Sequence, residues 1–531
     1  RIQAFYTDPQ GDFGEELRLS VSTLYVKTVF GGTTILADRI WNADGSPYLV
    51  TGDVTIADGV TLTVLAGVEV LFEANSDDQS SGERSNDAEF LLENGSLIAA
   101  GTAEAPVTFA SSNADGKQGD WGGIRPRGDR SVVSLSHTNF SDAGYGISDN
   151  GNCYIQSLAI ADSSFERSGP INTCVRESVS IVRSSFVAGG AGQWTIHTYS
   201  YYDDASVEII DNVISGAPRY GIHSNFRNNI TVTGNTVTST NQLYEGINVS
   251  SDNYNRPDAV INVSNNVINN TNANNGCCYH AGLSVQGRGN GNWIINDNVV
   301  SSVNHTWGNG IYLYSGSGSP ASVVVTGNTV SNIQYHGIYL HRIEGATVSG
   351  NTVSGTRGHD NRHGAISLHD AYGTVVDNIL SNNQRGLSIW SDNAEAAQSV
   401  LVENNVISGN DLNVWLGSGA NVRLLTNDLS GASQYAIYNE SSNTIDARNN
   451  YWGEDETAEI EGGTNPQALS FIYDSNNNSG SGFVNYAGWL ASADAEPTNL
   501  TIAGELSFLK DGAVTTTYQV GDTVTLQYVD A

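Results

Sequence analysis

Apolar and polar residues alternate along this chain in short bursts, and many of the bursts begin at asparagine. The phrase occurs at Asn212-Val213-Ile214, Asn235-Thr236-Val237, Asn266-Val267-Ile268, Asn298-Val299-Val300 and Asn328-Thr329-Val330. It continues at Asn351-Thr352-Val353, Asn378-Ile379-Leu380 and Asn405-Val406-Ile407, with successive asparagines 23, 31, 32, 30, 23, 27 and 27 residues apart. A second burst, Gly-Ile-x-apolar, interleaves with it at Gly221, Gly246, Gly282, Gly310, Gly337, Gly364 and Gly386. Period-two alternation predicts strands with one buried face, at least two per repeat. A repeat of this length with strand chemistry and no helix signal predicts the stacked coils of a solenoid. Asn and Gly tolerate the left-handed backbone that the corners need. Asn side chains at equivalent corners are expected to hydrogen-bond from coil to coil as an internal ladder.

The pattern has a recognisable entry and exit. The entry reads Pro47-Tyr48-Leu49-Val50, Gly59-Val60-Thr61-Leu62-Thr63-Val64 and Trp121-Gly122-Gly123-Ile124. The exit reads Asn449-Asn450-Tyr451-Trp452-Gly453 and Val484-Asn485-Tyr486-Ala487-Gly488-Trp489-Leu490. Over about residues 40–490 the chain resembles the right-handed parallel β-helix superfamily that includes pectate lyases. It is most similar to members with carbohydrate-binding and sugar-hydrolysis repeats. The resemblance implies a fold; that fold hosts lyases, hydrolases, epimerases, tailspikes and adhesins, so it leaves activity open.

The ends do not read as coils. Phe5-Tyr6-Thr7-Asp8-Pro9-Gln10-Gly11-Asp12-Phe13-Gly14 resembles the closing half of an immunoglobulin-like surface-protein repeat, and Val520-Gly521-Asp522-Thr523-Val524-Thr525-Leu526-Gln527-Tyr528-Val529 the opening half. The expected fold is therefore all-β: a right-handed parallel β-helix solenoid over residues 31–490, with partial immunoglobulin-like β-sandwich segments at 1–30 and 491–531. Half-sandwiches carry unpaired strand edges. Completion of one copy's head by the next copy's tail would give head-to-tail self-association, which builds filaments when it does not close. Asp8, Asp12 and Glu15 or Glu16 place hard oxygen ligands together, a candidate calcium site or simply an acidic turn.

Composition narrows the partners. The 531 residues hold 56 Asp+Glu against 23 Lys+Arg, a formal charge of -33, which disfavours nucleic acid and anionic membrane. No apolar run is long enough to cross a membrane as a helix, so no membrane insertion is expected. There is no Met and no signal peptide, as expected of a processed product or a piece of a longer protein. The expected location is secreted or on a cell surface. Cys153 and Cys174 lie about one coil apart and are a candidate disulfide; Cys277 and Cys278 are vicinal. Neither pair has metal-site spacing.

In so acidic a chain one basic island stands out. His336, His341, His359, His363 and His369 fall together, with Arg342, Arg357, Arg362 and Arg385 among them. Aligned on the repeat, His336 should stack near His363 and His341 on His369. Alternation points Ile338, Leu340, Ile366 and Leu368 inward, and Tyr339, His341, Ser367 and His369 outward. Tyr312 and Tyr314 precede them, while Ser388, Trp390 and Trp415 follow. This predicts an exposed aromatic face flanked by arginine, suited to acidic sugars. His336, His363, Tyr312, Tyr314, Arg385, Trp390 and Trp415 are the candidate binding residues. His341 or His369 would be the base, Arg342 or Arg362 the carboxylate clamp and Tyr339 or Tyr312 the acid of a uronate lyase or epimerase. Exposed aromatic and β-branched columns are also ordinary strand chemistry. Three functions stay open: a structural or adhesive surface protein that forms filaments, a polysaccharide lyase or epimerase, and a non-catalytic carbohydrate-binding module.

Overall fold

The computed structural model describes residues 28–188, 194–238, 245–253, 256–269, 280–289, 291–304, 308–316, 320–358, 360, 362–392, 399–495, 504–510, 513–514 and 525–530. The candidate calcium residues Asp8, Asp12 and Glu15, the vicinal Cys277 and Cys278, and His359 lie outside these residues. The chain divides into two compact units, residues 1–191 and 192–531.

The first unit is built of parallel coils. The run Tyr48–Val50, Glu69–Phe72, Val107–Ser111, Thr138–Ser141 and Ser164–Ser168 forms one sheet, each strand in parallel register with the next. Phe109, Phe140, Phe165 and Phe186 stack along its interior at ring separations of 6.2, 4.9 and 5.0 Å. A disulfide joins Cys153 to Cys174, with 4.2 Å between Cα atoms.

The second unit repeats a three-strand coil, one strand more than the minimum expected from the two phrases. A representative coil runs through Ile338–His341, Ala346–Ser349 and Thr352–Ser354. Each strand pairs in parallel with its equivalent one coil on, so three sheets run along the unit. Ile338, Leu340, Val348 and Val353 fill the interior and are fully buried.

The asparagine phrase is the corner between the second and third strands. Asn328 donates both its backbone N–H and its Nδ2 to Asn351 Oδ1 at 2.9 Å, and Asn351 repeats this to Asn378 Oδ1. The ladder runs through Asn212, Asn235, Asn266, Asn298, Asn328, Asn351, Asn378, Asn405, Asn427 and Asn450, all of them buried. The residue before each rung has positive φ and is Gly, Asn or Asp, as at Asp297 (54°) and Gly327 (66°), with Thr426 (54°) the exception. The left-handed turn is what lets the chain leave one sheet and enter the next within a residue.

Two elements depart from the repeat. Glu454–Glu461 is an α-helix where the pattern pointed only to strands. It buries a single residue, Ile460, so it leaves no apolar periodicity, and its acidic first turn complements the helix dipole. Strands Gly504–Lys510, Ala513–Val514 and Thr525–Asp530 form a separate antiparallel sheet with Gly504–Lys510 in the middle.

Candidate active site on the outward face of one sheet

The Gly-Ile strands of the second unit carry the chemistry. Parallel register places His197, His223, Asn248, Ser284, Tyr312, Tyr339, Ser367, Ser388, Trp415, Tyr438 and Tyr473 in one column. Two residues along each strand, a second column holds Tyr199, Asn225, Ser250, Gln286, Tyr314, His341, His369 and Trp390. Trp415 therefore follows Ser388, in the Tyr339 column, and Trp390 follows His369.

The expectation of an exposed aromatic face needs correction. Tyr312, Tyr339, Trp390 and Trp415 point away from the coil interior, yet only 6%, 4%, 5% and 5% of each is exposed. They form a second apolar cluster outside the coils, with Tyr314 and Tyr438 packed against it. Coils about 4.8 Å apart bring equivalent side chains into contact, so large rings cover one another. Ser367 is wholly buried, and His336 and His363 are buried too, which removes them from direct contact with a ligand. His336 lies flat on Tyr339 at 4.2 Å and hydrogen-bonds through Nδ1 to Ser367 Oγ at 2.7 Å. His363 meets His336 edge-on at 4.9 Å.

His341 and His369 remain partly open to solvent. Their rings are parallel within 4° and 4.4 Å apart. His369 Nε2 lies 2.9 Å from Asp392 Oδ2, and its Nδ1 lies 3.0 Å from the Tyr339 hydroxyl. A carboxylate only accepts, so in the neutral ring Nε2 carries the proton and Tyr339 donates to Nδ1. The result is a Tyr339–His369–Asp392 hydrogen-bond chain, with His341 stacked on its centre. Burial, helped by His369 and Arg342, lowers the His341 pKa to about 4, so its imidazole is neutral near pH 7. Burial likewise holds His336 well below the usual histidine range.

The arginines separate. Arg342 follows His341 directly, has positive φ (56°) and is exposed. Arg362 and Arg357 are exposed on the loop before Gly364; the Arg362 backbone oxygen accepts from Ser367 Oγ. Arg385 is half-buried, with Nη1 donating to Gly358 O at 3.3 Å. Of the two candidate clamps, Arg342 is the one beside the open histidines.

His341, His369 and Asp370 could each offer a ligand atom to a metal, all within 4.8 Å of one another. Parallel rings send their in-plane lone pairs along parallel lines rather than to a common point, and both His369 nitrogens are already engaged. The geometry fits a proton relay better than a metal centre.

Several residues of this face lay beyond the basic island. Trp194 stacks on His197 at 4.5 Å, and His197 on His223 at 4.8 Å. Burial lowers these histidines to about 3 and about 4, and raises the buried Glu245, hydrogen-bonded to Asn248 Nδ2, to about 7. The signal that finds them is the same Gly-Ile ruler, since His223 and Asn248 follow Gly221-Ile222 and Gly246-Ile247. In the first unit, Arg125 is buried against Glu89 (2.9 Å) with Tyr145 over its guanidinium at 4.1 Å. Glu89 also accepts from the backbone N–H of Glu83 and Arg84, so this cluster ties down the loop before it.

Comparison with known families settles the architecture. Residues 281–452 match the right handed beta helix region, and residues 33–153 the pectate-lyase like beta helix domain. The chain carries right-handed β-helix domains. Among solved structures it is similar to the periplasmic alginate epimerase AlgG, at 13% identity and TM-score 0.33, over 77% of this chain and 76% of that one. It is also similar to the A-module of the Azotobacter vinelandii mannuronan C-5 epimerase AlgE6, at 12% identity and TM-score 0.27, over 85% and 92%. No curated protein matches the chain. No helix among the described residues is long and apolar enough to cross a membrane.

Proposed function

We propose that the face around His341 and His369 binds an acidic polysaccharide and removes the proton alpha to a uronate carboxyl, as a lyase or epimerase. The observation that carries this reading is the Tyr339–His369–Asp392 chain stacked on a neutral histidine, with exposed Arg342 next in sequence. His341 is the base. A bound carboxylate beside it raises its pKa toward the working range. Arg342 neutralises the charge that develops on the uronate carboxyl as the C5 proton leaves. The second proton comes from Nε2 of His369 in its protonated form, which Asp392 orients and whose Nδ1–H donates to the Tyr339 oxygen. Delivered to O4, it completes elimination and leaves a C4=C5 double bond; delivered to the opposite face of C5, it completes epimerisation.

The test is incubation with polymannuronate, pectin and sulfated polymers, following ultraviolet absorbance for unsaturated products and proton NMR for epimerised units. His341→Ala is expected to lower turnover at least a hundredfold. No product and no epimer from any polymer, or a fully active His341→Ala, overturns the catalytic reading. Binding without turnover returns the face to a carbohydrate-binding role.

A second reading concerns the ends. The separate antiparallel sheet of Gly504–Lys510, Ala513–Val514 and Thr525–Asp530 suits a secreted or cell-surface protein whose tail is completed by the head of the next copy. Sizing of the full chain against a form ending at residue 495 tests it. Concentration-dependent chains that shorten to monomer on truncation support assembly, whereas a full chain that stays monomeric rules it out.

A further inference from the structure

We infer that this face is built for elimination rather than epimerisation, and that its substrate is a 4-linked uronate whose C5–H and C4–O4 bonds lie on the same face of the ring, as in mannuronate and glucuronate. The inference rests on the polysaccharide reading and adds to it the reaction and the configuration of the sugar.

The acid–base groups of the site stand on one side. His341 and His369 are register partners on adjacent parallel strands, so their side chains leave the sheet in the same direction. Their rings are parallel within 4° at 4.4 Å. The buried Tyr339 ring keeps the same plane, within 10° of His341 and 6° of His369. A sugar chain resting on the sheet therefore meets both histidines from beneath. The other groups share this origin. Arg342 and Asp370 directly follow His341 and His369, and Asp392 lies two residues beyond strand Arg385–Trp390. Asp370 Oδ1 accepts from Asp392 N–H at 2.9 Å and from Ser391 Oγ at 2.7 Å, which fixes the turn that presents Asp392 to His369 Nε2.

Stereochemistry follows from this placement. Neutral His341 takes the C5 proton, and the electron pair of that bond forms C4=C5 as the C4–O4 bond breaks. O4 leaves with the Nε2 proton of His369, so one linkage gives one unsaturated end and one new hydroxyl. A base and an acid 4.4 Å apart on one side serve C5 and O4 together only if both bonds face that side. The two bonds share a ring face in mannuronate and glucuronate. They lie on opposite faces in galacturonate and guluronate. Epimerisation needs the reverse arrangement, a proton delivered to C5 from the side away from the base. A water above the sugar could deliver it, but His369, held between Asp392 and Tyr339, would then take no part in the reaction.

Four polymers test this: polymannuronate, polyglucuronate, polygalacturonate and polyguluronate. Each is followed by ultraviolet absorbance for the unsaturated end and by proton NMR in deuterium oxide for the configuration at C5. Unsaturated ends are expected from polymannuronate or polyglucuronate at least about a hundredfold faster than from the other two, with no inverted C5 in the remaining polymer. His369→Gln is expected to lower kcat about a hundredfold with KM nearly unchanged. It should also return deuterium to C5 with configuration retained, because the proton comes back from the His341 side. Equal melting temperatures confirm that the variant folds. Inverted units without unsaturated ends, comparable cleavage of polygalacturonate or polyguluronate, or a fully active His369→Gln overturns the inference and leaves the catalytic reading of the face standing. If no polymer reacts, both fall.

Discussion

Asn351 shows what one side chain contributes to this fold. Its Oδ1 accepts both the backbone N–H and the Nδ2 of Asn328, and its own Nδ2 donates to Val325 O. Every one of these groups is buried, so none has water as an alternative partner. Asn351→Ala is expected to cost about 3 kcal/mol, because it strands two donors and an acceptor at once. Thermal or denaturant unfolding measures this; a loss under about 0.5 kcal/mol would mean that the ladder is incidental. The ladder was legible because each coil repeats it, and repetition makes a local preference visible. The histidines were legible only as a cluster. Whether His336 or His341 faces solvent depends on rings supplied by neighbouring coils, and no single strand encodes that.

At the scale of strands, alternation separated inward from outward residues correctly along Ile338–His341 and Ile366–His369. It did not separate outward from exposed. Tyr339 points out of the coil, yet His336, Tyr312 and Trp390 lie within 4.2, 5.3 and 6.1 Å of it. An outward column of small or branched residues stays open: Val213, Val267, Val299, Ile379 and Val406 are all substantially exposed on the ladder sheet. An outward column of large rings closes over itself. The same strands set the expected face, Tyr312 to Trp415, within a longer stack. Charge marks only residues 336–369 of it, whereas the strand register runs from Trp194–Tyr199 to Ile472–Tyr473 and includes the uncharged Asn225, Ser250 and Gln286. The helix Glu454–Glu461 escaped notice for the opposite reason, since one buried residue makes no pattern.

Across the whole molecule, the two units should respond to acid in opposite directions. In the second unit, His197, His223, His336 and His341 have folded pKa values below the ordinary histidine value. Between about pH 6.5 and pH 4 the unfolded chain binds protons that these folded residues refuse, so stability falls on acidification. Glu245 acts against them: its folded pKa of about 7 lies above its unfolded value, so its contribution grows as pH falls from 7. Four groups against one leave a net loss. In the first unit, burial raises the pKa values of Asp53, Glu89 and Asp149, and acidification toward their ordinary range stabilises the fold. Hydrogen exchange at pH 7 and pH 4.5, corrected for intrinsic rates, should show protection falling in residues 194–495 and holding or rising in 28–188. Parallel losses in both units would refute this assignment, and His223→Gln should lessen the loss in the second unit.

By itself, the sequence determined the solenoid, its inward residues, its asparagine corners and the pairing of His341 with His369. These follow from period and local backbone preference, which every coil restates. Tertiary structure alone decided which outward residues stay open and which histidine is held by Asp392. The reason is physical: burial and proton placement are set by what the adjacent coils bring to within van der Waals contact, some thirty residues away along the chain.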